Sequence, residues 1–286
     1  ACSCYPELLC TKEKIDVAEH FGILPNIACV GRDFTYQFCC DVLDEVCDLF
    51  PSRYIHIGGD EALKLNWLTC PDCQAKMKRE NLKTPEELET AFLNEIAKHI
   101  AKKGKKAICW NDGMSCENID SKIIMQYWKD DKKHTSLAKS LVEKGYQTII
   151  SPFKHYYLDY NYGITPLKKT YNYQFPFHSQ HILGVEAPIW TEYISSISRL
   201  EYLAYPRLFA VAEKGWSNRD DYDSFLARLD VFKNKLDSLG INYAPLSEVN
   251  PFFLKRWFLK LSFYFNAVDK NIINSFRLLH KYKNRK

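Results

Sequence analysis

The chain has 286 residues, 46% of them hydrophobic and 26% charged. That composition excludes a disordered polypeptide and supplies one large core or one to two domains. Nine Lys or Arg and a single acid, Asp269, follow Pro251, so the overall +4 hides a net −4 over residues 1–251; an acidic body of this kind excludes a nucleic-acid surface.

The first strand signal in chain order is YIHIG (54–58), which runs into two glycines and two acids. Further apolar runs follow at KKAICW (105–110), IIMQYW (123–128), YQTIIS (146–151) and HILGVE (181–186). Their centres are apolar throughout rather than alternating, as in strands covered on both faces. Helical signals lie around and between them. Residues 36–49 place Phe38, Val42 and Val46 on one face. In the stretch 84–104, Thr84 is a cap, Pro85 suits the first turn and Glu87 completes a capping box. Leu88, Phe92, Ile96 and Ile100 then form one stripe, and Gly104 stops the helix. Residues 221–239 repeat the pattern with Phe225, Leu229, Phe232 and Leu236. Alternating strands and helices without hairpin signals predict an α/β fold with a parallel sheet, either open or closed into a (β/α)8 TIM barrel.

Eleven cysteines, nine of them before residue 74, include one CxxC pair, Cys70 and Cys73. With no second pair at matching spacing this is half a zinc site at most. Scattered free thiols are the plain expectation, with a local disulfide or a metal clip as alternatives. An odd, scattered set is the usage of a reducing, cytoplasmic compartment. ACSCYPELLC has no signal-peptide pattern. No apolar stretch reaches membrane-spanning length; NPFFLKRWFLKLSFYF is interrupted by Lys255, Arg256 and Lys260.

Chemistry-bearing residues gather at the C-terminal ends of the five runs: Asp60 and Glu61; Trp110 with Asn111 and Asp112; Trp128; Tyr156, Tyr157 and Asp159; Trp190 with Glu192. In a barrel these ends meet at one mouth. No GxGxxG follows Gly58 and Gly59, and the next charges are negative, so phosphate binding is disfavoured. Carboxylates beside indole rings suit a glycoside hydrolase. Apolar surroundings raise a carboxyl pKa toward that of a general acid, and flat rings stack on sugar faces. Adjacent acids do not easily flank one anomeric carbon, because a retaining pair normally comes from different strands about 5–5.5 Å apart. One acid therefore supports another group, and the nucleophile can come from the substrate.

His56, Ile57, Gly58, Gly59, Asp60 and Glu61 form an HxGGDE motif that resembles glycoside hydrolase family 20, the β-N-acetylhexosaminidases. FPSRYIHIGGDEALKLNW resembles the family's fourth barrel strand and its loop, YYLDY a seventh-strand signature, GVEAPIWTE the eighth-strand motif, and YPRLFAVAEKGWS the segment that follows. The resemblance covers roughly residues 5–246 and implies a retaining hydrolase of terminal β-linked N-acetylglucosamine or N-acetylgalactosamine. It implies no metal and no organic cofactor. Its partner would be an N-acetylhexosamine-containing glycan or chito-oligosaccharide.

By the same resemblance Glu61 is the general acid and later the general base. Asp60 orients the 2-acetamido group, which attacks the anomeric carbon, and Tyr157 donates to the acetamido oxygen. Asp159 is a supporting acid, Trp110, Trp128 and Trp190 wall the sugar, and Glu192 binds its hydroxyls. His56 and Trp67 are near-site supports. Plain packing remains open for Trp110 and Trp128, and Tyr156 is the alternative to Tyr157. Glu186 reads as a barrel-interior acid and Glu213 as structural.

The family's first-strand Arg, and the Asp and His that precede its YPEL-like segment, have no counterpart here, because YPELL begins at residue 5. His20, in VAEHFG, is not that His. The expectation is a partial barrel of about strands 4 to 8 over residues 1–246, leaving open edges at the first and last, with a basic, aromatic-rich tail at 247–286. An inactive fragment and a non-catalytic sugar-binding protein are the rival readings.

Overall fold

A computed structural model describes residues 1–17 and 23–267. His20 and the portion of the expected tail after residue 267 lie outside the described residues.

Five strands form where the five apolar runs stand: β1 (Tyr54–His56), β2 (Lys106–Trp110), β3 (Ile124–Tyr127), β4 (Thr148–Ile150) and β5 (Ile182–Val185). They lie in chain order in one five-stranded sheet. The β1–β2, β2–β3 and β4–β5 pairs are parallel, with Ile55 opposite Ala107, Cys109 opposite Met125 and Ile150 opposite Val185. Parallel strands with helices between all but β2 and β3 give the expected α/β fold, that of a partial (β/α)8 barrel. Burial follows sheet position. All of β3 is buried, one residue of β1 is, and none of β5 is, as befits a central strand and two edges.

The described chain divides into two compact units, Ala1–Gln126 with Ser136–Gln147, and Tyr127–Thr135 with Thr148–Ala267. The first holds α1 (Asp33–Leu49), α2 (Pro71–Arg79), α3 (Pro85–Lys102) and the greater part of α4 (Lys132–Glu143). α3 begins as its sequence predicts. The Thr84 hydroxyl accepts the Glu87 N–H at 3.2 Å, while the Glu87 carboxylate reaches back at 2.5 Å to the N–H of Lys83, one residue before the cap whose N–H a capping box would bond. Its stripe buries Leu88, Ile96 and Ile100 completely or nearly so, and the helix packs on α1 and β2. Beside it, Trp67, Met77 and Leu88 enclose a group of cysteines. None of the eleven cysteines is in a disulfide.

The second unit holds α5 (Phe153–Tyr156), α6 (Leu167–Tyr171), α7 (Ile197–Ala204), α8 (Arg207–Trp216), α9 (Tyr222–Ser238), α10 (Leu246–Val249) and α11 (Phe253–Ala267). Asp221 caps α9 by accepting the Ser224 N–H at 3.0 Å. Phe225, Leu229 and Leu236 are buried, and Phe232 stays partly exposed against Phe209. The N-terminal part of the basic tail is helix α11. It docks on the loop after β4, where Asn161 Nδ2 donates to Leu259 O and Arg256 Nε to Gly163 O, both at 3.0 Å. A Cβ at Gly163 would stand 2.6 Å from Leu259 Cβ, so only glycine permits this approach. Among the described residues no helix is long and apolar enough to cross a membrane.

Candidate active site

The loop after β1 is shaped by its backbone. Gly58, Gly59 and Glu61 all have positive φ, at 74°, 92° and 51°. The first two are glycine conformations, whereas a left-handed Glu is strained. The turn is closed by named hydrogen bonds. The Gly58 N–H donates to His56 Nδ1 at 3.0 Å, the Trp110 N–H to Gly58 O at 3.0 Å, and the Glu61 N–H to Asp112 Oδ2 at 3.0 Å. Gly113 seals the other side, because a Cβ there would lie 2.2 Å from Gly59 O. The loops after β1 and β2 are thus joined backbone to backbone, and the side chains of Asp60 and Glu61 are exposed.

The ring of His56 lies 4.6 Å from that of Trp110, and burial lowers the imidazole pKa against a hydrogen bond to Gln126. Behind the loop, Lys64 Nζ and Glu89 Oε2 form a buried ion pair at 2.9 Å. Burial pushes the Glu89 pKa up to about 7, Lys64 pulls it down, and Asp112 adds to the rise. Trp67 is 3% exposed and donates its indole N–H to Ala28 O at 2.9 Å.

In the second unit the loop after β4 carries a row of rings. Tyr157 stacks between Trp128 at 6.2 Å and Tyr160 at 6.3 Å, with interplanar angles of 20° and 17°. Trp190 meets the same tyrosine at 6.2 Å. Tyr156 instead points into the protein: it is fully buried, and its hydroxyl has no hydrogen-bond partner among the described residues. Asp159 is buried too, and burial lifts its pKa to about 6. Backbone N–H groups of Asp159 and Trp190 oppose the rise, and nearby Glu192 adds to it.

The loop is tied from beneath by Arg207. This guanidinium is fully buried and donates to Leu158 O at 2.6 Å, Thr165 O at 3.0 Å and Leu203 O at 2.6 Å. It also lies over the Tyr162 ring at 4.4 Å. The Leu158 N–H donates to Pro188 O at 2.9 Å, which fixes the YYLDY segment to the strand-five exit.

Residues 1–219 match the family described as glycosyl hydrolase family 20, catalytic domain. The chain belongs to that family. It is 33% identical over 269 residues to a β-hexosaminidase of Porphyromonas gingivalis, covering 87% of this chain and 34% of that one. The β-N-acetylhexosaminidase of Bacteroides fragilis superposes with a TM-score of 0.74 at 28% identity, over 85% of this chain and 51% of that one. The family 20 exo-β-N-acetylglucosaminidase of Vibrio harveyi, solved in complex with N-acetylglucosamine, gives 0.72 at 28% identity, over 84% and 40%. The chain therefore spans about a third to a half of the length of these relatives.

Within the family 20 frame, the structure joins His56 to Trp110 and Glu61 to Asp112 in the first unit. In the second it joins Trp128, Tyr157 and Trp190. Glu192 is exposed, and Glu186 is exposed with its N–H on Ile150 O. Glu213, partly buried, accepts from Arg228 and from the Tyr171 hydroxyl, an anchoring role. Three supporting features escape a reading of motifs: Asp112 as the acceptor for Glu61, the Lys64–Glu89 pair, and Arg207. Asp112 stood among the acids at the strand ends and Arg207 as the one charge in the apolar run YPRLFAVA, whereas the Lys64–Glu89 pair had no such signal.

Proposed function

We propose that this chain carries the acid–base machinery of a retaining β-N-acetylhexosaminidase acting on terminal β-linked N-acetylglucosamine or N-acetylgalactosamine. The observation that carries the reading is the Asp60–Glu61 pair, presented to solvent on a loop whose backbone is fixed by glycines and by Asp112. The names of the relatives in the same family agree with it. Glu61 protonates the leaving glycosidic oxygen while the substrate's acetamido oxygen attacks the anomeric carbon. Asp60 holds that acetamido group and offsets the positive charge that develops on it. Tyr157 donates its hydroxyl to the acetamido oxygen. Glu61 then takes a proton from the water that opens the oxazolinium ring, and two inversions give net retention.

Trp110, Trp128 and Trp190 supply apolar faces for the sugar ring and the N-acetyl methyl group, and Glu192 accepts from sugar hydroxyls. Asp159 supports the tyrosine loop, and His56 and Trp67 support the acid loop. The test is Glu61→Gln. Turnover of an unactivated chito-oligosaccharide should fall about 10²–10⁴-fold, with a smaller loss for an aryl glycoside whose leaving group needs little protonation. Equal losses on both substrates would remove Glu61 from the acid role.

A further inference from the structure

Cys70 and Cys73 read as an isolated pair in sequence, yet the fold brings Cys10 and Cys29 to them. The four Sγ atoms all lie within 4.8 Å of one another. Cys29 Sγ is 3.6 Å from both Cys70 Sγ and Cys73 Sγ, and Cys10 Sγ is 4.0 Å from Cys73 Sγ. We propose that these four cysteines bind one structural zinc ion as thiolates.

The spacing narrows the chemistries open to four clustered cysteines. A disulfide needs its sulfurs about 2.05 Å apart, far closer than any pair here. Tetrahedral zinc with Zn–S bonds of about 2.3 Å sets its sulfurs about 3.8 Å apart, within the range of the distances seen. A four-iron cluster, with one cysteine on each iron, holds its cysteine sulfurs further apart than a single ion does. Cys29, Cys70 and Cys73 are buried and Cys10 is half-buried. Four protein ligands with no open position are the mark of a structural rather than a catalytic zinc.

The surroundings fit a bound cation held by thiolates. Cys70 is the N-cap of α2, Pro71 opens the helix and Cys73 sits in its first turn, where the helix dipole favours a negative sulfur. The chain at Gly31 lies directly on that turn: a Cβ there would stand 2.3 Å from Cys73 N. Four thiolates around a divalent ion leave a net charge of −2, and the Arg32 guanidinium, paired with Asp72, lies beside them. Its guanidinium donates to Asp72 Oδ2 at 2.5 Å, Leu9 O at 2.7 Å and Cys10 O at 3.2 Å. One side chain therefore ties together all three ligand-bearing segments, as an outer partner of a metal site does. The ion would pin the end of the loop that begins at Asp60 and Glu61 to the segments around Cys10 and Cys29.

The test is metal analysis of the purified full chain. One zinc per chain by mass spectrometry, with four sulfur neighbours at about 2.3 Å by zinc-edge X-ray absorption, is the expected result. Cys73→Ser and Cys10→Ser should lose stoichiometric zinc, and Cys4→Ser and Cys116→Ser should keep it. Should the ligand variants fail to fold, the wild-type measurement still decides. Chelation should lower the thermal midpoint, and zinc but not magnesium should restore it. Folded wild-type protein without zinc would overturn the proposal. So would an intact mass about 4 Da light, from two disulfides, or a coloured protein with iron in zinc's place.

Discussion

The loop after β1 and the loop after β4 hold their residues by opposite means. Asp60 and Glu61 are exposed, and the backbone beneath them is locked by glycines, by a close Gly59–Gly113 approach and by one carboxylate. Tyr156 to Asp159 are all buried, and a single enclosed guanidinium gathers the carbonyls around them. With the side chain of the proposed acid exposed, its position has to be set by the main chain. Rings that form a wall can be set by packing. The two loops should therefore fail in different ways.

The largest effect belongs to the packed loop. Arg207→Ala would leave three buried carbonyls short of a donor and open a cavity, and should cost at least ~3 kcal/mol in denaturant unfolding. Lys, with fewer donors, should recover only part of the loss.

The acid loop should show its weakness through pH. Glu89 ionises near 4.5 when unfolded but only at about 7 in the fold. The unfolded chain thus releases this proton first, and the contribution to stability falls as pH rises from about 4.5 to about 7. Lys64→Met removes the charge that favours the ionised form and moves the folded value higher still. Relative to the parent, that variant should lose about 1 kcal/mol more at pH 8 than at pH 5, and in Lys64→Met/Glu89→Leu this pH-dependent excess should vanish. Unfolding curves at the two pH values check both.

Gly113→Ala places a methyl against Gly59 O and should cost about 1–3 kcal/mol, with a loss of turnover from the displaced acid loop. Asp112→Ala, which removes one acceptor from the Glu61 N–H, should cost about 1 kcal/mol. If Asp112→Ala proved worse for stability than Arg207→Ala, the contrast between the loops would be wrong.

The fold was legible because its signals are local. Each apolar run became a strand, trimmed at the ends, and the Thr84 and Asp221 caps began helices within a residue of their expected starts. The HxGGDE loop was legible for the same reason. Helix α2 was not: CPDCQAKMKR has a polar face and little apolar stripe, and its buried residues are Cys73, Lys76 and Met77. The meeting of Cys10 and Cys29 with Cys70 and Cys73 joins segments up to 63 residues apart, and no spacing rule records that. Lys64 with Glu89, and Arg207 with Leu158, are likewise contacts that only tertiary packing creates.

Glu61 stands at φ 51°, where a side chain carries a penalty of about 1 kcal/mol that glycine escapes. Selection for durability alone would replace it, since Glu61→Gly should raise the melting temperature while leaving no carboxyl at the loop. On the proposed role of Glu61 the position sets robustness against turnover, and a library screened only for heat resistance should enrich for chains that have lost the acid.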